Sequence, residues 1–135
     1  MKLFILPIVA VVASGCATPD KAGVRNPEWF AKVAERSVLK SDRPFDQVAQ
    51  CFEKNAQLLP MTQFVDSADQ SGVTYRLRGF GFTFEEIAFE ASAGGGSTAT
   101  VLIAPNLNAK WRSDFMQDRL EPLQSCIAST ERSTA

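Results

Sequence analysis

An α+β fold is the architecture this sequence predicts: a four-stranded antiparallel meander with an N-terminal and a C-terminal helix packed on one face, in the order α-β-β-β-β-α. Three observations predict it. Two segments far apart in the chain carry apolar residues at steps of three and four, the spacing of a helical stripe. Between them the apolar period drops to two, the spacing of half-buried strands. Each helical stripe also has a cysteine at its edge, Cys51 and Cys126.

The clearest helix opens at Asp42-Arg43-Pro44. Phe45, Val48, Ala49, Phe52, Ala56 and Leu59 form its stripe, and Pro60 ends it. Met61 to Ala68 reads as a weak strand, followed by a turn at Asp69-Gln70-Ser71-Gly72. Val73, Tyr75 and Leu77 then alternate with Thr74, Arg76 and Arg78, as Ile87, Phe89 and Ala91 do with Glu86, Ala88 and Glu90. The glycines between Ala93 and Ser97 form a hairpin tip, and the return strand through Ala99, Val101 and Ile103 stops at Pro105. Asn108 caps a last helix over 109–128, with Trp111, Phe115, Met116, Leu120, Leu123 and Ile127 on one stripe. Pro122 cannot donate to the carbonyl of Asp118, so a kink is expected there.

Polar alternation leaves one sheet face wet, so both helices must cover the other face. Side by side there, they bring Cys51 and Cys126 within reach of a disulfide. Closing a loop of about 75 residues is worth roughly 4 kcal/mol in the chain-entropy account. Upstream, Asn26-Pro27-Glu28 is a helix-start signal, and a short helix over 27–36 follows with Trp29 and Phe30 on one face. Residues 37–43 read as a connector. The expected organisation is a leader over 1–15, a tether over 16–43, one domain over 44–128 and a frayed tail over 129–135.

Met1-Lys2 precedes an apolar run from Leu3 to Ala13, which is short of the roughly 20 residues a spanning helix needs and fits the core of an export signal. The motif that follows, Ala13-Ser14-Gly15-Cys16, resembles the lipobox of bacterial lipoproteins. On these few residues the chain resembles the broad group of small proteobacterial lipoproteins. The resemblance implies cleavage after Gly15, a lipid on Cys16 and a membrane anchor. It departs from the family at Ala13, where leucine is usual. Ala13-x-Gly15 also satisfies ordinary signal cleavage, which would leave a soluble secreted chain with a spare thiol. Lipidation of Cys16 leaves Cys51 and Cys126 as an even pair. Ala17 stands where aspartate is the inner-membrane retention signal, so the resemblance places the domain on the periplasmic face of the outer membrane.

The remaining expectations are largely negative. Fourteen basic and 15 acidic residues give a net charge of −1, and no basic patch points to nucleic acid. The chain has no histidine, which removes the commonest general base and zinc ligand. Glu85, Glu86 and Glu90 read as a solvated strand face, and Gly94-Gly95-Gly96-Ser97 lacks the Lys-Ser/Thr ending of a phosphate loop. No enzyme, cofactor or metal site is expected. The glycines of Gly79-Phe80-Gly81-Phe82-Thr83-Phe84 suggest a bulge or sharp bend, which either returns the three rings Phe80, Phe82 and Phe84, of one parity, to the core or leaves them exposed, with Arg76 and Arg78 beside them, as a surface for an envelope protein or ligand. The alternative is a small-ligand pocket between sheet and helices, lined by Phe52, Phe82, Phe89, Trp111 and Phe115.

Overall fold

Short helices flank one five-stranded antiparallel sheet in a computed structural model that describes residues 22–128. The elements are α1 (Pro27–Val33), β1 (Glu35–Ser41), α2 (Phe45–Asn55), β2 (Thr62–Asp66), β3 (Gly72–Gly79), β4 (Phe82–Ala91) and β5 (Ser97–Ile103). A C-terminal helical rod follows as α3 (Ala109–Phe115), a π-helical turn (Met116–Leu120) and α4 (Glu121–Ala128). The strand order is β1-β5-β4-β3-β2. Strands β2 to β5 are the expected meander.

The fifth strand, β1, corrects the expectation of four. It pairs with β5 from Glu35 opposite Ile103 to Ser41 opposite Ser97. It forms an edge whose residues are mostly exposed, Arg36, Val38 and Lys40 among them. Its two apolar residues, Val38 and Leu39, point to opposite faces, so no alternation marks it in the sequence. The expected tether therefore belongs to the fold from Ala22 onward. Gly23 and Asn106 exchange two hydrogen bonds of 3.0 Å, and Val24 exchanges two backbone hydrogen bonds with Thr83.

The capping signals act as read. Asn26 Oδ1 accepts from the backbone N–H of Glu28 and Trp29 and starts α1. Asn108 Oδ1 accepts from Trp111 N at 2.8 Å and starts α3. Helix α1 ends at Val33, three residues short of the expected end, where the chain turns into β1. Of its aromatic pair, Phe30 is buried against Leu102, Ala104 and Leu107, while Trp29 is exposed. This small second core lies on the sheet face opposite the main one, so that face is partly covered.

Helix α2 crosses the main face between the two sheet edges and lies along α4. Val48, Ala49 and Phe52 pack on Tyr75, Leu77, Ile87, Phe89, Ala99 and Val101, with Phe115 and Leu123 from the helical rod. Phe52 is the hub, its ring 5.2 Å from Tyr75 and 5.6 Å from Phe89. The expected kink takes the form of the π turn just ahead of α4, with helical backbone on both sides. The Asp118 carbonyl, which Pro122 cannot bond, accepts from Gln57 N at 2.9 Å, so the chain after α2 is tied to the rod.

Cys51 of α2 and Cys126 of α4 form a disulfide with their Cα atoms 5.8 Å apart. Arg43 Nη1 donates to the Cys126 carbonyl at 2.7 Å beside it. The bond closes a separation of 75 residues, and in the chain-entropy account such a loop is worth about 4 kcal/mol. Reduction, or the Cys51→Ser/Cys126→Ser double variant, is expected to lower the melting temperature by more than about 10 °C. Thermal unfolding with and without reductant checks this, and a shift of a degree or two would deny the bond a stapling role.

Candidate functional site

Strand β4 carries a bulge. Leu77 pairs with Glu85 and Arg78 with Thr83, so Phe84 is left without a partner. Past the bulge, Glu85, Ile87 and Phe89 share the face covered by helices. Glu85 is fully buried (0% exposed), as is Arg119 (1% exposed), which reaches in from the π turn. Arg119 Nε donates to Glu85 Oε1 at 2.9 Å, and Nη2 donates to Oε2. The Tyr75 hydroxyl donates to Oε1 at 2.7 Å and Trp111 Nε1 to Oε2 at 2.8 Å. Arg119 Nη1 donates to the Gln57 carbonyl at 3.3 Å.

Each carboxylate oxygen thus accepts two hydrogen bonds, and no buried side-chain nitrogen or oxygen among the described residues lacks a partner. Burial, then the charge of Glu85, pushes the Tyr75 phenol far above its usual range. Burial works against the charge on Arg119, but hydrogen bonding to Glu85 and its charge outweigh that, and the guanidinium pKa is raised. The four side chains form a closed, saturated cluster joining β3, β4, α3 and the π turn. Outside it, Trp111 and Arg119 border an open depression of about 290 Å³, with Leu59, Asp114 and Asp118 on its walls.

The β3–β4 turn forms an apolar tip. Phe80 and Gly81 both have positive φ, 55° and 84°, as a two-residue turn of mirror-image type requires. Phe80 is 86% exposed. Met61, with φ 76°, lies over Gly79 so closely that a Cβ on that glycine would collide with its sulfur. Leu59, Met61 and Phe80 are all exposed.

The five surface residues expected from the sequence do not form one ridge. Phe80 alone stands fully in solvent. Phe82 is half-buried beneath the Arg25 guanidinium, 4.8 Å from the ring centroid. Phe84 packs 4.8 Å from Trp111, and the chain at Gly23 presses against it. Arg76 is paired with Glu86 at 2.8 Å, and Arg78 Nη1 donates to Thr83 Oγ1 at 2.7 Å. Phe82 and Phe84 stay on one side of β4, where the chain at Gly23 and Arg25 covers both, while Phe80 stands at the tip of the two-residue turn. The pocket of five rings is not formed either: Phe52, Phe89 and Phe115 are core. Cys16 lies outside the described residues. Among the described residues no group of three metal-ligating side chains occurs.

The sequence reading missed the buried pair and assigned Glu85 to the solvated face. Two signals were present. Glu85 has the parity of Ile87 and Phe89, and Arg119 sits four residues after Phe115 and four before Leu123, inside the apolar stripe. A core-parity acid in a strand and a core-parity base in a helix point to each other. No known protein family, curated protein or solved structure matches this chain.

Two outcomes are expected. Glu85→Ala or Arg119→Ala should cost about 3–5 kcal/mol, because each strands a buried charge, whereas the Glu85→Leu/Arg119→Met double variant should recover most of that loss. Urea unfolding of the three variants measures both effects. Phe80→Asn should raise stability by about 1 kcal/mol, since asparagine tolerates the left-handed backbone that a bulky ring resists. The same assay would show no gain if the turn were unstrained.

Proposed function

We propose that this chain is a lipoprotein of the Gram-negative envelope, exported by the signal at 1–15 and held by a lipid on Cys16 at the periplasmic face of the outer membrane. Its domain serves as a structural or protein-interaction module without enzymatic activity. The observation that carries the reading is the Cys51–Cys126 bond. Disulfides of this structural kind persist in oxidising compartments, and this one uses two of three cysteines. Cys16 is then the odd thiol, placed where a lipobox-like motif would acylate it.

The lack of enzymatic activity is supported by the chemistry available. The chain has no histidine, and its most deeply buried acid, base and phenol are spent on one another.

Globomycin, which blocks lipoprotein signal cleavage, is expected to accumulate the precursor, and labelled palmitate should enter the wild-type chain but not Cys16→Ala. Unchanged processing and no label would overturn the assignment of Cys16.

A further inference from the structure

We infer that the β3–β4 turn is a membrane-contact element, in which Phe80 enters the headgroup boundary of the leaflet that holds the Cys16 lipid while Arg25 and Arg78 face the phosphates of anionic phospholipids. The inference rests on the lipoprotein reading and adds the orientation of the domain.

The first argument is the reach of the chain. Cys16 and Ala22 are six residues apart, so the segment spans at most about 22 Å. It delivers the chain to Val24, which is hydrogen-bonded on both sides to Thr83, three residues beyond Phe80. Strand β4 has ten residues, about 33 Å of extended chain, and its far end carries the turn at Ala93–Gly95. The chain joins the fold beside Phe84, four residues from Phe80 and nine from Ala93, so the end bearing Phe80 is the nearer one to the lipid.

The second argument is the chemistry of that end. Phe80 is the most exposed large apolar side chain of the described residues and is kept there in an unfavourable backbone conformation. A water-facing surface gains nothing from such a residue, whereas an apolar boundary does. Exposed Met61 lies over the base of the same turn. Arg25, stacked on Phe82, and Arg78, held by Thr83, flank the turn. Glu28, on the first turn of α1, is an acid close to Arg25 in sequence. An aromatic tip between two guanidinium groups matches a leaflet with anionic headgroups, where each cation near the surface strengthens binding about fivefold.

The test uses the chain from Cys16 to Ala135, which contains every described element and the disulfide. Its Cys16 thiol is coupled to a maleimide lipid in vesicles of phosphatidylethanolamine and phosphatidylglycerol with brominated acyl chains. The anchor is then supplied chemically, so failure here is separate from failure of lipidation in cells, which globomycin reads. Two reporters are compared in a Trp29→Phe background: Phe80→Trp at the tip and Ala93→Trp at the opposite turn. Both replace exposed turn residues. Bromine is expected to quench the emission of the Phe80→Trp protein and shift it to the blue, with the Ala93→Trp protein unaffected. Arg25→Gln and Arg78→Gln should each reduce the inserted fraction about fivefold, and vesicles of phosphatidylcholine alone should do the same. Equal quenching at both positions, no quenching at Phe80→Trp, or insensitivity to the arginines and to lipid charge would overturn the inference. Phe80 would then be free for a protein partner.

Discussion

The pairing of Arg119 with Glu85 is the constraint around which this molecule is organised. One charge comes from the middle strand of the sheet and the other from the helical rod. Neither has access to water, so their bidentate geometry admits one position of the rod over the sheet. Tyr75 and Trp111 complete the carboxylate's shell and add a strand and a helix to the same knot. Such a pair contributes less to net stability than apolar side chains of equal volume can. What it supplies is register: a slip of one residue in β3 or β4, or a turn of the rod about its axis, leaves a charge stranded.

Two further fastenings hold the rod in place and neither duplicates the pair. The disulfide joins α4 to α2 beyond Leu123 and restricts the unfolded chain more than it tightens the folded one. At the other end the backbone of Gln57 bonds the carbonyl that Pro122 leaves open. The proline usually seen as a helix breaker here creates an acceptor, and the π turn aims it. The π turn also places Arg119 on the sheet side. One irregularity therefore serves both the ion pair and the connection to α2.

Much of this was readable from residues alone, and the limits have physical causes. The helices were legible because their caps and stripes are local, as at Asn26, Asn108 and Phe52. The disulfide was legible because Cys51 and Cys126 lie on stripes that share a sheet face. Strand β1 was not, because an edge strand with both faces mostly wet needs no apolar alternation. The irregularity at Gly79–Phe84 was legible from its glycines, but the fate of Phe82 and Phe84 was not, because the residues that cover them, Gly23 and Arg25, lie far upstream in the chain. Glu85 was misjudged because acids are nearly always solvated, and its partner is 34 residues away. The motif at Cys16 resembles a lipobox, and that resemblance implies at most an address, with no information on what the domain meets there.

The edge strand has a consequence for crowding. On the proposed lipid anchor, copies would diffuse in two dimensions and meet often, and an open β edge is a template for joining copies into ribbons. If two β1 strands met antiparallel about Val38, Arg36 of each would lie opposite Lys40 of the other. Like charges directly opposed across a strand pair repel. The strand that escapes notice in the sequence for want of an apolar pattern is, for the same reason, one that keeps neighbouring copies apart.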